Sequence, residues 1–507
     1  MNLRNLAVAA LLAATATAAQ QPFQLDPGFH FDPQGIAVGD VLERPDGKII
    51  VSGIMQYPSW DIQCSGLLLE PNGSIIPSPS DIPALDWYFY MGGKMVPWGD
   101  QFYVQNSHTI QRLWMDGGWD SAFMAHMQPM SGGGVGGDYH VFPDGRLLQA
   151  GNYSIQDSVR GFVGWGYGLL WRNSDGSLDT TRIHRRISNS GNGALEHIKQ
   201  LPDGKFMCSG GSGLFEGVPV EPIFRVHDDG ALDTSFHVPD LDGWIESYGF
   251  LPQPGGKVLA YGRFHFADMV PWTCLVRLLP NGQLDPTFNN QQWFEVTYGF
   301  WSAMVQDVEP IGEGLLAVTG TFDRINGEDH GGIAMLDTAG NLLPGYFEGS
   351  GCGGYFSYPY NDYYQGILGI EPAQDGGYYI YGYYRGYDDG ATNDPSQRLL
   401  SKLYGLNVGI NEQPARSATL HIAPNPSHGG AVQLSVDEVP KRAILSIHDA
   451  SGRVVLREEW PDGTFTHTLQ AGLLAPGTYV VRVAVPLASR ASASGTDTYT
   501  GKMIVLP

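Results

Sequence analysis

The stretch VRLLPNGQLDPTF (276–288) consists of an apolar strand, an Asn-Gly turn and the sequence Leu-Asp-x-x-Phe. Asn-Gly between apolar runs is typical of a hairpin, because Gly accepts the positive φ that such turns need. Similar segments recur as FRVHDDGALDTSF (224–236) and LLWRNSDGSLDTT (169–181), with variants at 67–75, 113–123 and 335–347. The chain therefore contains an internal repeat.

A second hairpin signature alternates with the first, most clearly as QLPDGKFMCSG (200–210). Its turn glycines are Gly47, Gly99, Gly145, Gly204, Gly256, Gly314 and Gly376, about 50 residues apart, which is the spacing of propeller blades. Two hairpins make a four-stranded unit. The sequence thus predicts an all-β protein, a seven-bladed β-propeller over 25–407 followed by a small C-terminal β-sandwich. An open β-solenoid is the alternative for the repeats.

The two ends of the repeat region complement each other. The segment LDPGF (25–29) is the tail of a repeat without its beginning, and the last repeat ends at LLSKLYGLN (399–407) without a Leu-Asp-x-x-Phe tail. We expect the N-terminal fragment to complete the last unit, which would leave no exposed sheet edge.

The repeats resemble the delta-60 repeat family of secreted bacterial β-propellers. The segment GTFDRINGEDHGGIAMLDTAGNL (320–342) is especially similar, and the resemblance extends over about residues 25–406. It implies the propeller fold and brings no established chemistry.

Composition changes at a linker that we place at 408–418. The segment 419–507 contains PNP, an alternating strand that leads into GRVV, the sequence PGTYVVRV and a final GKMIVLP. The alternation predicts a β-sandwich. These strings resemble the C-terminal sorting domain of the type IX secretion system of Bacteroidetes. The resemblance implies that the secretion machinery is a partner, bound through 419–507. An ordinary adhesion sandwich is the alternative.

The N-terminus has the pattern of a signal peptide, which we assign to residues 1–19. Arg4 precedes a short apolar run, and small residues follow up to Ala19. A frayed helix is the alternative. No later stretch is long and apolar enough to predict a transmembrane segment. We expect a location outside the cell or on the outer-membrane surface, after signal-peptide cleavage and outer-membrane translocation.

The net charge of −23 lies entirely outside the C-terminal segment, whose acidic and basic residues balance. Such a negative field argues against nucleic acid or an anionic membrane surface as a partner. The cysteines Cys64, Cys208, Cys274 and Cys352 form no CxxC pair. They are either disulfides or buried thiols, and the sequence leaves the pairing open.

No catalytic motif is found. Polar residues stand seven positions before the turn glycine in four units, where they would face a central channel: Asp40, Asp138, His197 and Asp307. They would either bind a cation or a basic group, or be solvated or cap backbone groups. No cofactor is expected, with calcium as the one candidate. The acidic loops at 387–396 and 326–332 lack the spacing of a calcium loop, which favours turns there.

Aromatic residues in loops are a second candidate surface: Trp244, Trp293, Trp301, Tyr360 and Tyr383. Such rings bind sugars or peptides, although packing between blades also explains them. We therefore expect a binding or scaffold protein for an extracellular glycan or protein. The alternative is a glycan-active hydrolase or lyase that uses channel carboxylates.

Overall fold

The chain divides into two compact units, Met1–Asn407 and Val408–Pro507. The computed structural model describes residues 21–57, 62–76, 93–105, 109–127, 136–188, 194–210, 213–241, 246–267, 272–298, 302–312, 314–357, 362–406, 420–436, 443–449, 453–461, 464–486 and 496–506. The predicted signal peptide and linker lie outside these residues, as do Trp244, Trp301 and Tyr360.

Within the described residues, the first unit contains seven antiparallel meanders of three strands each. The first strands are β1 (Gln34–Glu43), β4 (Met95–Trp98), β7 (Gly136–Val141), β11 (Leu195–Gln200), β16 (Glu246–Gln253), β20 (Met304–Gly312) and β28 (Ile367–Pro372). The second strands are β2 (Ile49–Tyr57), β5 (Gln101–Gln105), β8 (Leu147–Asp157), β12 (Phe206–Gly210), β17 (Lys257–Phe264), β21 (Leu315–Thr321) and β29 (Tyr378–Asp388). The third strands are β3 (Ile62–Leu69), β6 (Ile110–Trp114), β9 (Phe162–Arg172), β15 (Ile223–Val226), β18 (Thr273–Leu278), β24 (Ile333–Asp337) and β30 (Asn393–Leu403).

Shorter elements join these meanders. Three strands extend the sheet of the third meander: β10 (Arg185–Ser188), β13 (Gly213–Phe215) and β14 (Val218–Val220). The short strand β19 (Phe294–Glu295) precedes the sixth meander, and β22 (Arg324–Ile325) and β23 (Glu328–Asp329) lie between its second and third strands. Between the sixth and seventh meanders lie β25 (Gly351–Cys352), β26 (Tyr355–Ser357) and β27 (Asp362–Tyr364). The described part of this unit also has a helix, α1 (Ser121–His126), and a 3-10 turn, Pro254–Gly256.

First strands of successive meanders lie next to each other. They make contact in the order β7, β11, β16, β20, β28, β1, β4. Lys94, just before β4, then joins β7, because Tyr139 Oη donates a hydrogen bond of 2.7 Å to the carbonyl of Lys94. The series therefore returns to its start. We call the end where first strands begin and second strands end the upper face, and the end with the Asp-Gly turns the lower face.

The N-terminal segment completes the seventh meander. Leu25 forms an antiparallel bridge with Leu403, and Asp26 N donates a hydrogen bond of 2.8 Å to Lys402 O. Leu25 thus takes the place that Leu284 takes against Leu278 in the fifth meander. The prediction that 25–29 supply the missing repeat tail is confirmed.

The repeat signature is explained by one buried ion network. In the fifth meander, Asp285 Oδ2 accepts hydrogen bonds of 2.7 Å from both Lys257 Nζ and Arg277 Nε. Arg277 also donates to the carbonyl of Thr338 in the next meander at 2.6 Å, and its guanidinium lies 4.8 Å from the ring of Phe288. The Lys of PDGK, the strand Arg, and the Asp and Phe of LDxxF therefore have a structural role in joining the strands of one meander to the next. The fourth meander repeats the arrangement with Lys205, Arg225, Asp233 and Phe236.

Three of the four cysteines are described, and all three are free buried thiols: Cys208, Cys274 and Cys352. Burial raises the pKa of Cys274 and of Cys352 to about 12, so neither is a reactive thiolate at neutral pH. The side chain of Cys64 lies outside the described residues.

The second unit contains two antiparallel sheets. One consists of β31 (Leu420–Ala423), β32 (Ala431–Val436) and β35 (Thr466–Gln470), and the other of β33 (Ile444–His448), β34 (Val454–Glu459), β36 (Gly477–Pro486) and β37 (Thr496–Val505). A 3-10 turn, Ala471–Leu473, follows β35. Residues of both sheets, such as Leu434 and Val481, belong to one buried core.

No helix in the described parts of either unit is long and apolar enough to cross a membrane.

Candidate functional site

One position recurs within six of the first strands and just before β4 in the second meander. We call it the central position, and its occupants in meander order are Asp40, Lys94, Asp138, His197, Gly249, Asp307 and Gly369. In six of the meanders, all except the second, a β-bulge interrupts pairing with the second strand at or just before it. A bulge reorients the side chain that follows it. The four predicted channel residues therefore do occupy equivalent places.

The three aspartates at the central position connect neighbouring meanders. Asp307 Oδ1 accepts the N–H of Val308 at 2.8 Å, and its Oδ2 accepts the N–H of Ile370 in the next meander at 3.3 Å. The same pair of contacts links Asp138 to Tyr139 and Ile198, and Asp40 to Val41 and Met95. Since both oxygens of each carboxylate accept backbone N–H groups, these contacts fit the capping interpretation.

Lys94 is a central residue that sequence reasoning missed. Its Nζ lies 3.0 Å from Asp138 Oδ1 and donates to the carbonyl of Tyr139 at 3.3 Å. Burial opposes ionisation of Asp138, but Lys94 and His197 lower its pKa below the ordinary value. Counting seven residues back from Gly99 goes past Lys94 to Gly92, because a tighter hairpin pairs Trp98 directly with Gln101 in this meander.

Two meanders have glycine instead of aspartate at the central position, and a tyrosine of the second strand fills the space of the missing side chain. Gly369 pairs with Tyr381, and a Cβ built on Gly369 would lie 2.2 Å from the tyrosine hydroxyl. Gly249 and Tyr261 repeat this arrangement at 2.4 Å. Where the central residue is Asp40 or Asp307, the paired residue is small: Ser52 or Thr319. The two combinations are alternative ways to fill the same volume.

Two glutamates lie two residues beyond the central position, towards the lower face. Burial and the charges of Asp40, Asp307 and Glu309 raise the pKa of Glu371 to about 9. Burial and Asp307 raise that of Glu309 to about 7. Burial also raises the pKa of Asp40 and of Asp307 to about 6. This acidic side belongs to the sixth, seventh and first meanders.

Basic residues lie on the second and fourth meanders. They are Lys94 and Lys199, and burial lowers the pKa of Lys199. The carboxyl groups with raised pKa values thus belong to the sixth, seventh and first meanders, whereas Asp138 lies between the two meanders that carry these lysines. Among the described residues, no three side chains of His, Cys, Asp or Glu are arranged to hold a metal ion. Calcium binding stays a prediction.

Tyr383, one of the predicted aromatic contacts, uses its hydroxyl within the protein. The Tyr383 hydroxyl lies 2.5 Å from Thr321 Oγ1 and 3.3 Å from Gln306 Nε2. These contacts join the seventh meander to the sixth. Trp293, in contrast, is 51% exposed. It is therefore the described aromatic candidate whose ring is most available to a ligand.

The tyrosine-rich hairpin β26–β27 is packed against the protein. Tyr355 donates a hydrogen bond of 2.7 Å to Ile36 O of the first meander. One ring contact of Tyr355 is with Arg385 at 4.4 Å, and another is the stacked Tyr364 at 5.8 Å. Tyr363 lies 5.0 Å from Tyr298. The described tyrosines here contact one another, which favours the packing interpretation.

The acidic loop at 387–396 uses its carboxylates in turns. Asp388 accepts hydrogen bonds from Ser350, and Asp394 from Ser396. Asp389 accepts the N–H groups of Ala391 and Thr392. These contacts are those of turns, as the sequence pattern favours.

Two family models match parts of the chain. Residues 253–288 match "Domain of unknown function (DUF5122) beta-propeller", and residues 421–492 match "Secretion system C-terminal sorting domain" (Por_Secre_tail). The chain therefore contains a β-propeller domain of the first family and a sorting domain of the type IX secretion system. The sorting domain implies export to the cell surface or the extracellular space. No curated protein sequence matches the chain.

Several solved structures also match the chain at low sequence identity. PorZ of Porphyromonas gingivalis, described as an essential bacterial surface component of the type IX secretion system, is 13% identical, with a TM-score of 0.36 over 91% of this chain and 64% of PorZ. A fungal alcohol oxidase of the AA5 family is 11% identical, with a TM-score of 0.34 over 96% of this chain and 100% of the oxidase. A puromycin hydrolase is 14% identical, with a TM-score of 0.38 over 83% of this chain and 64% of the hydrolase. The chain thus spans 64% of the length of PorZ.

Proposed function

We propose that this protein is an extracellular glycan-binding protein: a seven-bladed β-propeller carried to the surface by a C-terminal β-sandwich. The seven meanders are its blades. The return of the first strands to their start and the Leu25–Leu403 bridge support a ring that is closed by the N-terminal segment. The delta-60 likeness of the repeats agrees with this arrangement.

The binding role is supported by one observation: the repeated polar side chains are bonded within the protein, so they are available to hold the fold rather than a ligand. The repeated Arg, Lys and Asp residues of the lower face bond to each other, and the central aspartates bond to neighbouring backbone N–H groups. The repeats thus form a rigid frame, and the loops of the upper face vary in sequence upon it. Loops on a rigid frame are common binding surfaces. A glycan is the favoured ligand because the net charge of −23 disfavours polyanions and an exposed tryptophan offers a stacking surface.

The proposal is tested with the full exported chain. It should be retained on insoluble neutral polysaccharides, measured as depletion from solution, and should be released by the matching soluble oligosaccharide. A protein that stays in solution with every polysaccharide of a broad panel is not a glycan-binding protein. Removing 419–507 should keep the protein inside the producing cell, and export without this segment contradicts its sorting role.

A second candidate function is glycan hydrolysis, and the two glutamates favour it. The raised pKa of Glu371, about 9, keeps this carboxyl protonated at neutral pH, as a general acid must be. Glu309 is close enough to raise it further. Release of reducing ends from a bound polysaccharide, abolished by Glu371→Gln, would establish this activity. Binding without any release leaves the binding role alone.

A further inference from the structure

A three-stranded sheet on the upper face of the sixth meander holds the exposed Trp293. Phe294 pairs with Ile325 and Glu295 with Arg324, and Arg324 pairs in turn with Asp329. Phe294 and Ile325 are buried, and the ring of Phe294 lies 5.1 Å from that of Phe322. This side of the sheet therefore faces the core, and the other side faces solvent.

The solvent side has a defined set of residues. Because side chains alternate along a strand, Trp293 and Glu295 lie on the opposite side from Phe294. Residues directly opposite in a pair share a side, which places Arg324 and Asp329 with Glu295. Arg324 Nε lies 3.0 Å from Asp329 Oδ1. The indole of Trp293 therefore lies beside a row of three charged groups. These are the carboxylate of Glu295, the guanidinium of Arg324 and the carboxylate of Asp329.

Asn326 holds the backbone of Trp293 in place. Asn326 Oδ1 accepts the Trp293 N–H at 3.0 Å, and the Asn326 N–H donates to Trp293 O at 2.8 Å. The amide of Asn326 also donates to Gln292 Oε1, and Gln292, 2% exposed, donates to Gly340 O at 2.7 Å. A ligand would thus meet a backbone that is already ordered, which lowers the entropy cost of binding.

We propose that Trp293, Glu295, Arg324 and Asp329 form the subsite that binds one neutral pyranose of the glycan. The proposal rests on the binding function proposed above. The apolar face of a pyranose stacks on the indole, and its adjacent hydroxyl pairs bond to the planar guanidinium and the carboxylates. One Arg against two carboxylates leaves the subsite negative, like the whole chain, so acidic sugars and phosphates are repelled.

The test compares two exposed tryptophans in the full chain. The probes are laminarin, mannan, xyloglucan and starch, and affinity is measured by tryptophan fluorescence titration. Trp293→Ala should weaken binding of the retained polysaccharide at least about tenfold, the scale of losing one buried aromatic contact. Trp114→Ala is the matched control, because Trp114 is 41% exposed but lies at the lower face. It should leave affinity unchanged.

The experiment distinguishes failure of the proposed subsite from failure of the proposed glycan-binding function. Wild-type protein that binds none of the polysaccharides overturns the binding function itself. Wild-type binding that Trp293→Ala leaves intact overturns the subsite alone, provided that both variants unfold at the wild-type temperature. Binding that 1 M NaCl abolishes, or that polylysine prevents, assigns the surface to a cationic polymer and overturns the neutral pyranose. Binding that persists in salt and depends on Trp293 supports it.

Discussion

The backbone N–H of Leu25 donates a hydrogen bond of 2.7 Å to Asp389 Oδ2, across 364 residues of chain. Asp389 is 8% exposed, and its other oxygen accepts the N–H groups of Ala391 and Thr392. One carboxylate therefore orders the tip of the last hairpin and anchors the N-terminal segment to it. The attachment of the N-terminal segment to the seventh meander depends on this carboxylate as well as on the strand pairing.

Replacing Asp389 should therefore destabilise the first unit. Asp389→Ala leaves the Leu25 N–H and two turn N–H groups without their acceptor, and each unsatisfied buried donor costs about 1 to 3 kcal/mol. We expect a loss of about 3 kcal/mol in urea unfolding. Asp388→Ala is the control, because Asp388 bonds to Ser350 at the surface and should cost less than half as much. Equal losses for the two variants would contradict the anchoring role.

The repeated meanders and the pairing of Leu25 with the seventh meander could be predicted from the sequence, because they depend on repeated turn glycines and on a displaced LDPGF segment. The position of Lys94 could not, because a shorter hairpin breaks the count from the turn. The sequence does not point to Glu309 and Glu371, because they lie two residues past the position that the turn spacing marks. Tyr383 was predicted to meet a ligand, yet its hydroxyl bonds inside the protein.

In the sequence, only its residue type distinguishes Trp293. Its rigid frame depends on the pairing of β19 with β22, which brings together residues about 30 positions apart, and no local pattern shows this pairing.

The ion network of the fifth meander should give a pH-dependent stability. Burial opposes the charge of Asp285, but hydrogen bonds from Lys257, Thr287 and Arg277 outweigh it and hold its pKa well below the ordinary value. A lowered pKa stabilises the fold above the unfolded value, about 3.9, and the stabilisation is lost as the pH falls through the native pKa.

Asp285→Asn should therefore cost about 3 kcal/mol at pH 7, since it leaves a buried cation without its partner. The difference from wild type in chemical unfolding should shrink at pH 2. Asp46→Asn, in an exposed turn pair with Arg44, should cost under 1 kcal/mol at either pH. If the stability difference between Asp285→Asn and wild type were the same at pH 7 and pH 2, the charge of Asp285 would make no contribution to stability.

The glycine and tyrosine of the seventh meander should behave as a coupled pair. Gly369→Ala places a Cβ 2.2 Å from the Tyr381 hydroxyl, so the ring must move, and we expect a loss of about 2 kcal/mol. Tyr381→Ser alone leaves a cavity and should cost about 3 kcal/mol. The double variant Gly369→Asp with Tyr381→Ser recreates the Asp40–Ser52 pairing of the first meander.

A double-mutant cycle measures this coupling. The double variant should lose at least about 1 kcal/mol less stability than the sum of the losses measured for Gly369→Asp alone and Tyr381→Ser alone. Additive losses would show that the two pairings do not share one volume.

Asp307 should produce the opposite pH dependence to that of Asp285. Burial raises the pKa of Asp307 to about 6, despite the N–H groups of Ile370 and Val308 that bond to it and the charge of Lys199. An acid whose pKa is higher in the native state binds more protons folded than unfolded, so stability falls as the pH rises between about 4 and 6. Glu309 adds to this fall up to a pH of about 7.

Asp307→Asn removes the titrating group while keeping an oxygen that can accept one N–H. Its stability should therefore vary less than that of wild type between pH 4 and pH 6, measured by chemical unfolding at each pH. Asp138→Asn is the informative comparison, since Lys94 and His197 lower the pKa of Asp138 despite its burial. That variant should not flatten the profile in this range, because the native Asp138 is already ionised there. If the two variants change the pH profile alike, the acidic side is not electrostatically distinct from the side that holds Lys94.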